Sequence, residues 1–217
     1  MHSIQADCEQ MIAQQVRTWA VLDTRALDAM HRVPRELFVP AAWRSLAYAD
    51  CALPLPLGKH MLTPMLIGRM LQALELNPGE QVLEIGAGSG YLSACLAAMG
   101  ARVQSLELHP EIAELARTNL RAAGVTGVEL SCADGAALAQ ESAYDAIVLT
   151  ASLPIYQPRF ERALKHGGRL FAVVGSAPVM EARLVRRHGG HEYRSLALFE
   201  TSLEAMEHAP APPLFKF

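Results

Sequence analysis

The sequence predicts an α/β fold: a doubly wound, mostly parallel, twisted sheet with N-terminal helices and a C-terminal antiparallel hairpin. Three observations predict it. From Thr63 onward, short β-branched runs alternate with amphipathic helical stretches, the pattern of parallel βαβ units. The first of those runs ends in Gly86-Ala87-Gly88-Ser89-Gly90 and leads straight into a helical stretch. Toward the end of the chain, EARLVRRH and EYRSLALFET flank Gly189-Gly190, a pair suited to the positive φ of a tight hairpin turn.

Taken in order, Met11, Ile12, Val16 and Trp19 recur at helical spacing. Leu22, Leu27, Met30 and Val33 repeat it, with Asp23 placed between them as an N-cap. Trp19 and Trp43 read as helix-packing side chains. Residues 46–63 change character, because Pro54 and Pro56 remove backbone donors and restrict their neighbours. An extended, irregular segment of that length inside a domain is usually functional. Thr63 caps and Pro64 opens a helix running to about Leu76. Then come strand QVLEIG, helix SGYLSACLAAMG, strand RVQSLEL, helix PEIAELARTNLRAAG, strand GVELSCA, strand YDAIVLTA, helix PRFERALKHG and strand GRLFAVVG. The expected division is residues 1–63 as a helical, substrate-facing extension, 64–207 as the cofactor-binding core and 208–217 as a Pro-rich tail. The tail reads as disordered, with Phe215 or Phe217 as the side chains that would dock if it is not.

Composition narrows the functional classes. At 217 residues, 51% of them hydrophobic, the chain suits one domain with an extension and is too apolar for intrinsic disorder. Nineteen basic against 22 acidic residues leave a formal net charge of −3, which is no footprint for nucleic acid. No apolar run approaches the roughly 20 residues of a membrane span. The opening MHSIQADCEQ has neither a basic nor an apolar leader region. Cys8, Cys51, Cys95 and Cys132 form no CxxC and no zinc-like spacing with histidine, so they read as thiols of a reducing compartment. The expectation is a cytoplasmic protein without metal, nucleic-acid or membrane partners.

The strongest chemical signal is VLEIGAGSGY, residues 82–91. Glycines there let a ligand approach the backbone closely, and the helix that follows presents unpaired N–H groups. Glu107 lies 21 residues past Gly86, at the end of the next strand, where a carboxylate can accept both hydroxyls of a ribose. A dinucleotide fingerprint would place its third glycine at position 91, which is Tyr91, and no GxxxxGK[ST] occurs. The remaining pattern, GxGxG preceded by Glu84, suits a cofactor with an amino-acid moiety and no pyrophosphate: S-adenosyl-L-methionine. On this reading Gly86, Ala87, Gly88 and Gly90 form the cradle, and Glu84 offsets the methionine ammonium directly or through water. Glu107 and Leu108 take the ribose side, Asp134 and Gly135 meet the adenine edge, and Thr150 with Ala151 lines the pocket.

Upstream, RVPRELFVP (32–40) and AYADCALPL (47–55) resemble the "VPRE-FVP" and "AY-D-PLP" segments of the protein-L-isoaspartate O-methyltransferase family. VLEIGAGSGY, ELHPE, ADG and GGRLFAVVG are shared more widely among class I methyltransferases, and the resemblance covers about residues 10–176. It implies a Rossmann-like methyltransferase fold. It also implies O-methyl transfer from S-adenosyl-L-methionine to the carboxyl of an L-isoaspartyl or D-aspartyl residue in a protein or peptide, a protein-repair activity.

The departures fall on the substrate side. Where the family reads close to "GQTISQP", this chain has Gly58-Lys59-His60-Met61-Leu62-Thr63-Pro64. The family's serine falls on Leu62, its threonine on His60 and its second glutamine on Thr63, while Pro56 stands where glycine is usual. An ionised carboxylate acceptor needs no general base, so no Ser/His/Asp constellation is required. Thr63 is the neighbouring hydroxyl, although it also reads as a helix cap. His60 is either a contact orienting an anionic acceptor, a base for a less acidic one, or a solvent-facing loop histidine beside Lys59. Tyr48, His60, Leu62 and Thr63 are thus the candidate substrate-binding residues, with Asp50 near the same mouth; His60 and Thr63 are the catalytic candidates. Two alternatives remain open: transfer to a different protein or small-molecule acceptor, and a cofactor-binding homologue that has lost catalysis.

Overall fold

The computed structural model describes residues 4–212. The chain opens with α1 (Ile4–Met11), which loosens into a π-type turn over Ile12–Val16 and a 3-10 turn over Arg17–Trp19. Asp23 then caps α2 (Thr24–Arg32), its side chain accepting from the backbone N–H of Arg25 at 2.8 Å and of Ala26 at 3.4 Å. Trp19 and Trp43 do not pack as expected; they are 52% and 41% exposed. Met11, Val16, Ala26, Ala29 and Met30 fill the interior instead.

The proline-rich segment is more regular than its sequence promises. β1 (Leu53–Pro54) and β2 (His60–Met61) pair antiparallel, with Leu53 opposite Met61 and Pro54 opposite His60. The ribbon closes through the Leu55 N–H, which donates to the Lys59 carbonyl at 2.7 Å. α3 (Pro64–Leu74) follows at once, with Thr63 Oγ1 accepting from the Leu66 N–H at 3.3 Å. It stops two residues earlier than Leu76, where Glu75 turns to φ +45°.

A seven-stranded sheet organises the rest: β3 (Gln81–Ile85), β4 (Arg102–Glu107), β5 (Val128–Cys132), β6 (Tyr144–Leu153), β7 (Leu164–Ser176), β8 (Val179–Gly189) and β9 (Glu192–Glu200). Their spatial order is β5-β4-β3-β6-β7-β8-β9. The first five in that order are parallel and the last two antiparallel. Alternation along β3 sends Val82 into one buried cluster and Leu83 and Ile85 into another, as a sheet covered on both faces demands. α4 (Tyr91–Ala98) and α5 (Pro110–Ala122) belong with the first face, and α6 (Pro158–Arg162) places Phe160 in the second. α6 is half its expected length. The Ala163 carbonyl accepts the N–H groups of Ala143 at 2.9 Å and Tyr144 at 3.1 Å, drawing the chain into β7.

The hairpin turns at Gly190 between β8 and β9. Past β9 the chain does something its sequence does not announce. It folds back as a strap over the carboxyl end of β6. Ser152 holds it, donating its N–H to the Glu204 carbonyl and accepting from the Met206 N–H, both at 2.8 Å. Among the described residues no helix is long and apolar enough to cross a membrane. Phe215 and Phe217 lie outside the described residues.

Candidate active site

A cavity of about 380 Å³ opens at the carboxyl ends of β3, β4 and β6, between the β2–α3 segment and the strap. In an open α/β sheet this is where ligands bind, and the volume suits a small-molecule cofactor. Gly86, Gly88, Glu107, Leu108, Asp134, Gly135 and Thr150 line it together with His60, Leu62 and Thr63. Residues from separated stretches of the chain therefore share one chamber.

Local geometry explains the residue types. Gly86 sits at φ +95°, and a Cβ there would stand 2.1 Å from Thr150 Oγ1. That hydroxyl faces the carbonyls of Ile85 at 3.0 Å and Gly86 at 2.8 Å, pinning the turn to β6. Glu107 is 6% exposed; its two oxygens accept the N–H groups of Gly88 at 3.0 Å and His109 at 3.1 Å. Each carboxylate oxygen has a second lone pair to offer, so two ribose hydroxyls find acceptors on a side chain already fixed in place. Asp134 caps the turn that follows β5, accepting the Ala136 N–H at 2.8 Å, and its other oxygen meets His208 Nδ1 at 2.8 Å. These residues fit S-adenosyl-L-methionine: a turn whose first glycine leaves no room for a side chain, and a fixed carboxylate beside it.

Four residues expected in the site line no part of this cavity. Glu84 is fully buried on the other face of β3, where Ser93 and Ser105 donate to its Oε2, the latter at 2.6 Å. Burial, against those two hydrogen bonds, pushes its carboxyl up to about 7. Its other oxygen, Oε1, is buried without a hydrogen-bond partner among the described residues. Ala87 is tucked under the turn, its N–H donating to Leu106 and its carbonyl accepting from Gly90. Gly90 opens α4 against Leu120 and Ala116 of α5. Tyr48 points away, its hydroxyl donating to Glu36.

The His60–Thr63 side of the cavity is anchored from the interior. Arg35 is fully buried and donates from Nε to the Ala47 carbonyl at 2.8 Å and from Nη2 to that of Leu62 at 2.7 Å. Its guanidinium lies 4.8 Å from the centre of the Tyr91 ring. At the mouth, His60 Nδ1 meets Glu204 Oε1 at 2.8 Å, and Lys59 Nζ and His109 Nε2 meet Glu207 Oε1 at 2.6 and 2.9 Å. Hydrogen bonds from Lys59 and then His109 hold the Glu207 carboxyl down at about 2.

The model of the family described as protein-L-isoaspartate(D-aspartate) O-methyltransferase matches residues 6–197. The chain belongs to that family. It is 38% identical over 190 residues to the protein-L-isoaspartate O-methyltransferase of Koribacter versatilis, covering 87% of this chain and 86% of the relative. To the Methanoculleus marisnigri enzyme of the same name it is 44% identical over 184 residues, 83% of each chain. In fold it is similar to a Plasmodium falciparum chain described as a protein-L-isoaspartate O-methyltransferase, in complex with S-adenosyl-L-homocysteine. That likeness has a TM-score of 0.79 at 16% identity, covering 95% of this chain and 99% of that one. As a member of the family, the chain is an S-adenosyl-L-methionine-dependent methyltransferase.

For this methyltransferase the sequence reading missed the strap, Thr201–Glu207, together with Lys59 and His109. The strap lies past the end of the family match. Its one sequence signal is Glu204 and Glu207, an acidic pair that the basic Lys59-His60 doublet complements.

Proposed function

We propose that this chain methylates the carboxylate of L-isoaspartyl and D-aspartyl residues in protein or peptide substrates, in the cytoplasm. The observation that carries this reading is that the glycine turn with Glu107 and the segment His60–Thr63 open into the same cavity. In this scheme residues 1–63 present the acceptor side and residues 64–207 the cofactor side.

When bound, S-adenosyl-L-methionine supplies a methyl group on an electron-poor sulfonium. The chain's own task is alignment. Glu107 and the turn at Gly86–Gly88 fix the adenosyl end, while segment 60–63 holds the acceptor. Orientation of this kind is worth about 7–11 kcal/mol of barrier. A carboxylate acceptor is already ionised at neutral pH, so no side chain needs to remove a proton. Thr63 Oγ1 accepts from the Leu66 N–H, which leaves its own proton to donate to the acceptor. Leu62 keeps the wall apolar, and Arg35 fixes that residue's carbonyl.

The test is transfer of radiolabelled methyl to an L-isoaspartyl peptide and to its L-aspartyl twin. Base-labile label on the first alone is the expected result. Tight binding of the cofactor with label on neither peptide would move the assignment to another acceptor.

A further inference from the structure

The mouth of the cavity holds a cluster of basic side chains paired with carboxylates that the function above does not use. Lys59 and His60 come from the β1–β2 ribbon, and His109 from the start of α5. All three face carboxylates of the strap: Lys59 Nζ lies 2.6 Å from Glu207 and 3.8 Å from Glu204, His60 Nδ1 2.8 Å from Glu204, and His109 Nε2 2.9 Å from Glu207. Lys59 and His60 stand at two positions where the chain departs from the family's pattern, and both glutamates lie beyond the family match, which ends at residue 197. The departures have met in space.

We propose that Lys59, His60 and His109 form a carboxylate subsite at the cavity mouth, in which Glu204 and Glu207 stand in for the acceptor's own carboxylates. The subsite rests on the reading of the acceptor as a carboxylate. Three features support exchange. The glutamate side chains are 51% and 40% exposed, and ion pairs in water are held weakly. The strap's main chain is fastened elsewhere, on Ser152 and through buried Met206, so the two side chains can swing out without unseating it. His60 also lies two residues before Leu62 on an extended segment, which puts both side chains on the same side. Both line the cavity. His60 therefore stands near the place where the family's hydroxyl is missing. An acidic acceptor enters by taking Lys59 and the two imidazole donors from the strap, and a neutral one gains nothing by doing so.

The experiment uses the full chain saturated with S-adenosyl-L-homocysteine, which permits binding without turnover. Three probes are titrated by calorimetry: an L-isoaspartyl peptide, its twin with the acceptor carboxyl as an amide, and succinate. In the double variant Glu204→Gln, Glu207→Gln the two carboxylate probes should bind at least threefold more tightly. In Lys59→Met they should bind at least tenfold more weakly. The amide twin should change less than twofold in either. Carboxylate binding that is unchanged or weaker in the double variant overturns the proposal. The wild-type chain gives a check that needs no variant: carboxylate probes should shift the imidazole ¹⁵N signals of His60, and a silent His60 overturns the subsite. If succinate shifts His60 while the isoaspartyl peptide is not methylated, the subsite stands and the isoaspartyl assignment falls. If the peptide is methylated while His60 stays silent, the isoaspartyl assignment stands and the subsite falls.

Discussion

The buried guanidinium of Arg35 donates to the carbonyl oxygen of Leu62 across 2.7 Å. Through that bond the segment proposed to face the acceptor is tied to an interior cation, which also holds Ala47 and lies over Tyr91, the first residue of α4. The helix that begins at the glycine turn and the Leu62 wall of the cavity thus share one side chain. Burial pushes the Arg35 pKa down from its ordinary value, and a planar fork is what reaches two carbonyls at once.

Arg35→Lys should therefore cost both stability and alignment. A lysine supplies one compact donor group where Arg35 serves two carbonyls, and losing a hydrogen bond from a charged group costs roughly 1.5–3 kcal/mol. Urea unfolding should show a loss of about that size. Steady-state kinetics should show the peptide KM rising more than the cofactor's. An equal rise in both would mean that Arg35 supports the fold without setting the acceptor wall.

Glu107→Gln should weaken cofactor binding whatever the acceptor. The carboxylate is fixed by the N–H groups of Gly88 and His109. An amide surrenders the charge and turns one acceptor into a donor facing them. Two charge-assisted bonds lost in part correspond to roughly tenfold to a hundredfold in affinity. Calorimetry with S-adenosyl-L-homocysteine measures it directly; less than a threefold change would place the sugar away from this residue.

These two residues differ in how visible they are in the sequence. Glu107 is legible because its spacing from the glycine turn is set by one strand–helix–strand unit, a local quantity. The sheet and most of its helices are legible for the same reason, since period and turn residues act over short distances. Glu84 shows the limit. Its place before the turn is fixed locally, but its partners depend on the pairing of β3 with β4 and on the packing of α4, so the sequence does not announce that Ser105 and Ser93 take one of its oxygens. Tyr48 differs from expectation in the same way: its hydroxyl goes to Glu36, a choice made by packing. The strap is least visible. Its anchor is Ser152, about fifty residues away, through its backbone and through a hydroxyl that faces the Leu203 and Glu204 carbonyls. Every partner of Ser152 on the strap is main chain, which leaves no mark on the strap's own side-chain identities.

Glu84 makes stability depend on pH. Its carboxyl is raised by burial from an ordinary 4.5 to about 7. Below about pH 4.5 it is protonated in both the folded and unfolded chain and contributes no difference. Between about 4.5 and 7 only the unfolded chain releases the proton, so the fold loses stability as pH rises. Above 7 both states are ionised and the penalty is constant, at most about 3 kcal/mol. Glu84→Gln cannot ionise, so its Tm relative to the wild type should be higher at pH 8 than at pH 5, by roughly 5 °C or more. A difference that stays flat across that range would show that Glu84 does not titrate there.

Leu62→Ser restores a hydroxyl at the position where the family's pattern carries one. Leu62 lines the cavity and is partly buried, so trimming it removes apolar contact and should lower stability by about 1–2 kcal/mol. The gain is a donor facing the acceptor. A hydrogen bond to a charged group is worth roughly 1.5–3 kcal/mol, and each 1.36 kcal/mol is tenfold in rate. Label transfer to an L-isoaspartyl peptide should rise about tenfold or more in kcat/KM, while affinity for S-adenosyl-L-homocysteine stays within twofold. Thr63 sets the ceiling on that gain: if its hydroxyl already serves the acceptor, Leu62→Ser combined with Thr63→Val should return the rate to that of the wild type. A rate unmoved by Leu62→Ser alone, in a folded variant that still binds the cofactor, would place the reacting oxygen away from this wall and leave the basic side chains at the mouth as the acceptor's main hold.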